Sequence, residues 1–261
     1  MSLTGKTKAG SYKDLVQLNN SNNGFDATTR SVVDGDGSGS ALRLSTKQVL
    51  SRPALDNTTS FLATDKDSNS LLAVDSTNDI VRAGAGQHIV NTQVKQFAMD
   101  STEANPNASD TWYGLTSTFN HNSGNELTMG TGSTPDTTLT IASGAANVVK
   151  HYWYVPFNIA IDSCNVLFGG SSANGDVVKF SVMSYTVDTG NSSTGGDLSS
   201  GVENCVSPAT ISGAGREQIY YQALTVSTAN VDSGKVILAC VTQDGTNSDL
   251  SINMQLVYHL R

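Results

Sequence analysis

The sequence predicts an all-β protein, with an N-terminal trimerising β-hairpin region followed by a C-terminal antiparallel β-sandwich. Only 38% of the 261 residues are hydrophobic and 15% are charged, so Ser, Thr, Asn, Gly and Asp supply most of the remainder. Apolar residues come in short bursts separated by polar clusters. In the last candidate strand, apolar residues at positions 252, 254, 256, 258 and 260 alternate with polar residues at 251, 253, 255 and 259. Together these observations are typical of short strands joined by tight turns.

Residues 1–87 are expected to form hairpins used for attachment and trimerisation. The stretch "VVDGDGSGSALRLS" places Asp34, Asp36 and Ser38 at positions one, three and five of a calcium loop. Ser45, however, stands where such a loop needs a bidentate Glu. A hairpin tip, in which glycines take positive φ and Asp bonds to its own backbone, explains the same residues. We therefore favour a turn over a metal site, with calcium as the minor alternative, and predict no cofactor.

A second hairpin is predicted at "FLATDKDSNSLLAVD", with a third strand following the turn at Asn78-Asp79. This region holds too few large apolar side chains to bury a sufficient core alone. Isolated hairpins are also marginal in water and expose their edges. Three chains winding around one axis would share a core, in which we expect Ile80 and Val81 to lie.

Residues 88–109 are expected to connect the two regions as a short helix or an extended segment, with a breaker at Asn105-Pro106. Residues 110–261 then carry eight to ten candidate strands. In the last one, Ile252, Met254 and Leu256 share one face. "KVILACV" is apolar on both faces and predicts a central strand. This spacing predicts a sandwich or jelly roll, which resembles in architecture the trimeric jelly rolls of the tumour-necrosis-factor and complement C1q kind.

The charge balance and the cysteines narrow the class of protein. A net charge of −8 and a pI of about 4.8 argue against a nucleic-acid-binding face. No secretory signal and no apolar run long enough for a membrane helix is recognisable, so we expect synthesis in a reducing cytoplasm and no membrane insertion. Cys164 and Cys240 lie in apolar strand patterns and are expected to be buried fillers.

Catalysis is not expected. The four histidines, His88, His121, His151 and His259, stand outside HExxH, HxH and GxSxG contexts. The repeats of a β-helical glycan-cleaving enzyme are absent, and paired carboxylates cannot be judged across different strands. The sequence therefore predicts a protein that is not an enzyme and holds no catalytic or metal-binding residues.

Aromatic residues beside polar loops are the candidate binding site: Tyr152, Trp153 and Tyr154, together with Tyr220 and Tyr221. Rings in this setting are typical of surfaces that stack on glycans or contact proteins. The alternative is that strand alternation places half of them in the core and half in a trimer interface. The long segment 188–203 is expected to be a mobile or contact loop.

The runs "SYKDLVQLNNSNNGFDATTRSVVDGDGSGSALRLST" and "FLATDKDSNSLLAVDSTNDIVRAG" resemble the opening region of virion structural proteins of tailed marine bacteriophages. "LLAVDSTNDIVRAG" is similar to strand–turn–strand units that trimerise in phage fibres. "YWYVPFNIAIDSCNVLFGG" and the strands after it resemble, less specifically, the terminal β domain of such proteins.

The resemblance implies a homotrimeric appendage on the virion surface, of the capsid-decoration or head-fibre type. The expected partners are further copies of the chain and other virion proteins, either the major capsid protein or tail proteins. A tail fibre or receptor-binding protein that recognises a host surface glycan or protein is the alternative.

Overall fold

The structure is a computed structural model, and it confirms the predicted all-β class. The chain divides into an N-terminal unit, Met1–Val90, and a C-terminal unit, Asn91–Arg261. The breaker at Asn105-Pro106 and part of the predicted loop 188–203 lie outside the described residues. The structure describes residues 16–21, 23–84, 88–90, 92–99, 110–117, 127–141, 148–170, 178–190, 193–207, 218–243 and 250–261.

Two four-stranded antiparallel meanders make up the described part of the N-terminal unit, and in each the strands lie in chain order. The first meander contains β1 (Gln17–Leu18), β2 (Arg30–Val33), β3 (Gly39–Leu44) and β4 (Val49–Ser51). The second contains β5 (Phe61–Thr64), β6 (Ser70–Asp75), β7 (Ile80–Ala83) and β8 (His88–Ile89).

The Asp34 carboxylate closes the turn between β2 and β3. Its Oδ1 accepts hydrogen bonds from the backbone N–H groups of Asp36 (3.0 Å) and Ser38 (2.8 Å). Gly37 provides the positive φ, 87°, that the turn requires. The carboxylate expected at position one of a calcium loop is therefore used by its own hairpin, as the turn interpretation predicts.

The turn between β5 and β6 has the same construction, 31 residues later. Asp65 Oδ1 accepts from the backbone N–H groups of Asp67 and Asn69, both at 2.9 Å, and Ser68 has a φ of 66°. The next turns also match, because "STKQVL" (45–50) and "STNDIV" (76–81) occupy corresponding places. The two meanders are thus tandem versions of one module.

Ile80 and Val81 lie on opposite faces of the second meander, because successive strand residues alternate. Val81 is opposite Val74 across the ladder, and Ile80 is opposite Asp75. The expectation that Ile80 and Val81 lie together in an axial core is therefore wrong for one of the two residues.

The C-terminal unit is a jelly roll of two sheets. Its strands are β9 (Thr92–Met99), β10 (Thr111–Gly114), β11 (Thr128–Thr131), β12 (Trp153–Tyr154), β13 (Ile159–Gly170), β14 (Val178–Val187), β15 (Leu198–Val206), β16 (Gln218–Val226), β17 (Asn230–Val231), β18 (Lys235–Gln243) and β19 (Leu250–Leu260).

The strands of the C-terminal unit are arranged in two sheets. Sheet I has the order β11-β10-β18-β14-β15, and β12 also pairs with β18. Sheet II has the order β16-β13-β19-β9, and β17 also pairs with β13. The sheets join where Cys205 and Val206 pair with β16, and a bridge between Ala98 and Thr116 links β9 to the segment after β10.

The main core fills the space between the two sheets. Alternation in β19 places Ile252, Met254 and Leu256 in this core, as predicted. Val236–Gln243 of β18 is buried throughout, which confirms a central strand covered on both faces. Cys164 and Cys240 are buried free thiols, again as predicted, and Cys205 is a third.

A second apolar layer covers the outer face of sheet I. It is formed by a covering segment, residues 132–141 and 148–152, packed on side chains such as Tyr185 and Leu238. Polar contacts fix this segment in place: the Tyr185 hydroxyl donates to the Asp136 carbonyl (2.7 Å) and the Gly201 N–H donates to the Thr137 carbonyl (2.9 Å). The chain therefore covers one outer face of its own sandwich.

Residues 92–99, expected to belong to a connector, instead form β9 and pair along their length with β19. Phe97 and Met99 point into the core, while Gln96 lies on the other face. The spacing of Val90, Val94, Phe97 and Ala98 also fits a helical period, which is why sequence periodicity did not identify the strand.

Candidate functional site

The outward face of sheet II is exposed and carries apolar and amide side chains. The strand registers align two rows of residues across its four strands. None of these eight side chains is acidic like Asp or Glu, and none is a Lys, Arg or His. The first row is Tyr221, Leu167, Asn253 and Ala98, and the second is Ala223, Asn165, Gln255 and Gln96.

A shallow cavity of about 170 Å³ opens between these rows. Within it, the Tyr221 hydroxyl donates a 2.8 Å hydrogen bond to Asn165 Oδ1, which fixes the position of the ring. Tyr221 is 64% exposed and Leu167 is 47% exposed, so the apolar parts of the cavity face solvent. The lining residues are Asn165, Val166, Leu167, Tyr221, Asn253 and Gln255.

The cavity can bind a ligand through neutral hydrogen bonds and ring contact. Each of its three carboxamides offers two N–H donors and one carbonyl acceptor, and Tyr221 presents a ring beside them. Hydroxyl-rich or peptide-like groups fit this chemistry, since they need donors, acceptors and an apolar platform together. The lining residues include no carboxylate, imidazole or basic side chain.

The structure does not bring the five predicted aromatic residues together. Trp153 packs in the core, with ring centroids 5.0 Å from Tyr258 and 6.4 Å from Phe97. Tyr152 belongs to the layer over sheet I, and its hydroxyl donates to the Gly196 carbonyl (3.1 Å). Tyr154 is 53% exposed. These three neighbours in sequence therefore have three different environments.

Tyr220 and Tyr221 lie on opposite faces of β16. Tyr220 stacks on Phe168 with ring centroids 5.5 Å apart and packs against the core. Tyr221, in contrast, lines the outward cavity. Of the predicted set, Tyr221 alone lines this cavity.

Sequence reasoning missed the amide partners of Tyr221. Alternation already places Asn253 and Gln255 on the polar face of the last strand. Asn165 lies beside Asn253 and Gln255 because β13 pairs with β19, and this pairing joins residues that are far apart in the chain. The signal was thus present for each strand separately, but not for the site.

His151 is buried at the end of a 3₁₀ turn, Val149–His151, which is part of the covering segment. Its Nδ1 lies 3.1 Å from the Leu115 carbonyl oxygen, so Nδ1–H donates in the neutral ring. Among the described residues no donor reaches Nε2, the unprotonated nitrogen of this tautomer. Burial lowers the pKa of His151 to about 4, and the imidazole is neutral at pH 7.

We expect His151 to make the C-terminal unit sensitive to acid. The pKa of His151 is about 4 in the folded state and about 6.5 in the unfolded state. Between these two pH values the unfolded state binds more protons, so the free energy of unfolding decreases as the pH is lowered. The loss from pH 7 to pH 5 should be about 2 kcal/mol. Urea unfolding followed by the fluorescence of Trp112 and Trp153 measures this loss of stability.

The variant His151→Gln should remove most of the loss between pH 7 and pH 5. The control His88→Gln, at an exposed site of the N-terminal unit, should show the same loss as the wild type. An unchanged pH dependence in His151→Gln would contradict the assignment.

Across the described ranges, no group of three or more His, Cys, Asp or Glu side chains is arranged to hold a metal ion. The same ranges include no helix with the length and apolar character needed to cross a membrane.

No protein-family model and no curated protein sequence matches the chain. Among solved structures, it is similar to a structure of infectious bursal disease virus, Gx strain, with 10% identity and a TM-score of 0.28 over 84% of this chain and 38% of that one. It is similar to the T13 particle of the same virus with 11% identity and a TM-score of 0.23, over 81% and 44%. A CocE/NonD family hydrolase from Staphylococcus aureus shows 5% identity and a TM-score of 0.31, over 69% and 39%. The chain spans less than half of each, and likenesses this weak assign it no function.

Proposed function

We propose that the chain is a non-enzymatic structural protein of a tailed phage particle. In this proposal it forms a homotrimeric appendage on the capsid surface, of the decoration or head-fibre type. The N-terminal unit anchors the appendage to other virion proteins, such as the major capsid protein, and the jelly roll faces outward. The protein is made in the host cytoplasm and acts on the virion surface.

The observation that carries the proposal is the small core of the N-terminal unit. Among its described residues, the buried apolar side chains are Val32, Val33 and Ala73. Larger apolar side chains are exposed, including Val49 (74%) and Leu55 (83%). A unit of this kind is stable when other chains cover it, which favours an oligomeric attachment region. The resemblance of its sequence to phage virion proteins supports the same proposal.

A receptor-binding protein, on a tail fibre, is the second candidate. The outward cavity of sheet II favours it, because Tyr221 and the amides of Asn165, Asn253 and Gln255 form a neutral polar surface around a ring. Surfaces with this composition bind sugar hydroxyls and peptide groups. Under this candidate the ligand is a glycan or protein of the host surface.

Immunogold labelling distinguishes the two candidates. Gold-labelled antibody raised against residues 110–261 is applied to purified phage particles whose genome encodes this chain. The labelled particles are then imaged by electron microscopy. Label distributed over the capsid supports a decoration or head-fibre role. Label confined to the tail supports the receptor-binding candidate, and Tyr221→Ala should then reduce adsorption to host cells. Particles without label would overturn both.

A further inference from the structure

One face of the second meander carries a cluster of six apolar residues that is incompletely covered. The registers align Phe61, Val74 and Val81 in one row across β5, β6 and β7. They align Ala63, Leu72 and Ala83 in the next row. None of the six side chains is buried, and Phe61 is 47% exposed. These six residues are called the second-meander face below, and the exposed His88 lies at its rim opposite Ala83.

The fold of the module does not require an apolar residue at every position of this face. The first meander uses the same turn hydrogen bonds. The two meanders are offset by 31 residues in the sequence. The first meander has Arg43 where the second has Val74, and Arg52 where the second has Ala83. Arg43 lies in β3, as Val74 lies in β6, and is partly exposed. Because the module forms with arginine at these two places, Val74 and Ala83 are not needed for its fold and are free to serve a contact outside the module.

The size of the face indicates what covers it. Three strands about 4.8 Å apart, with alternate residues about 6.8 Å apart along them, give a footprint of roughly 200 Å². A stable two-body interface buries about 800 Å² on each partner. One such face does not make a stable interface with one partner, whereas three copies around an axis would bring roughly 600 Å² of apolar surface into one shared core.

The charge of the chain favours copies of itself as the occupant. Residues 1–90 hold nine Lys or Arg and nine Asp, with no Glu, so the net charge of −8 lies entirely in the rest of the chain. The N-terminal units of several copies therefore meet without net repulsion, and the six residues of the second-meander face carry no charge. Closed rotational symmetry brings the same patch of every subunit to the axis.

We propose that the second-meander face is the surface through which copies of this chain associate in the N-terminal unit, with the first meander excluded from the contact by Arg43 and Arg52. This inference rests on the proposed homotrimer and names the residues that form its core. Val81 then lies in the core and Ile80 does not.

The first meander supplies the test variant. Val74→Arg and Ala83→Arg together install the side chains that the first meander already carries at the corresponding positions. Sedimentation equilibrium of the full chain should give a mass near three times 27.3 kDa for the wild type. The double variant should dissociate, with self-association weakened about 100-fold or more, because arginine charges would be buried without partners.

Leu62→Arg is the matched control. Leu62 is 47% exposed and lies in the same sheet, but its ladder partner is Ala73, on the opposite face. This variant should retain the wild-type mass. Amide hydrogen exchange over residues 61–83 is measured in parallel, and the double variant should keep the protection of the Asp67 and Asn69 amides, which bond to Asp65.

Each outcome is decisive. A double variant with the wild-type mass, or a Leu62→Arg variant that dissociates equally, would overturn the inference while leaving the trimer in place. Loss of amide protection over 61–83 in the double variant would also overturn it, because the apolar face would then serve the fold of the module. A monomeric wild type would overturn the homotrimer itself.

Discussion

Replacing Phe97 by alanine should lower the free energy of unfolding of the C-terminal unit by about 3–5 kcal/mol. Phe97 is completely buried in β9, within the core between the two sheets, and its ring meets that of Trp153 edge-on. Truncation removes this apolar contact and leaves a cavity that the surrounding sheets cannot fill. Urea unfolding followed by tryptophan fluorescence measures the loss.

Val94→Thr is the control for this prediction. Val94 lies in the same strand but is 56% exposed, and threonine keeps its β-branched shape. Its effect should stay within about 0.5 kcal/mol. Equal effects at residues 94 and 97 would show that β9 is not an integral strand of the jelly roll, and that residues 92–99 connect the units as the sequence had led us to expect.

The second large effect is expected at Gly201 in β15. A Cβ at this position would lie 2.5 Å from Tyr185 Cε1 and 2.8 Å from Thr137 Cα. Gly201→Val adds three carbons where the first already overlaps with backbone, so either the covering segment or the strand must move. We expect a loss of about 3 kcal/mol in the free energy of unfolding, the upper part of the usual cost of overpacking.

Ser199→Val tests whether this loss comes from the contact with the covering segment. Ser199 is exposed in the same strand, and valine is favoured in strands. The change should therefore leave the urea midpoint within experimental error or raise it slightly. A Gly201→Val protein as stable as Ser199→Val would mean that the covering segment is not held against β15.

Sequence reasoning identified the strands whose pattern is local. The alternation of β19 and the continuous apolar run of β18 each specify burial without knowledge of their neighbours. It misassigned β9, where an edge strand of eight residues also fits a helical period. It also missed the 31-residue module, although the match between "STKQVL" and "STNDIV" is visible in the sequence.

The candidate site was less accessible to prediction than the fold. Aromatic residues were chosen because they are large, but Trp153 and Tyr220 pack against the core. Tyr221 lines the outward cavity with Asn165 and Asn253, from two other strands. Which side chains meet across a sheet depends on strand order and register, and these follow from long-range packing that no local pattern encodes.

The three cysteines have a consequence for where the protein can fold. All are free and buried, and burial raises the pKa of the Cys240 thiol, while the neighbouring Cys205 raises that of Cys164. Thiols that are protonated and shielded react slowly with oxidants and with one another. Because the three cysteines are free in the folded chain, no cross-link has to form before the fold is complete. A reducing compartment is therefore sufficient for this protein to reach its folded state, without an oxidation step.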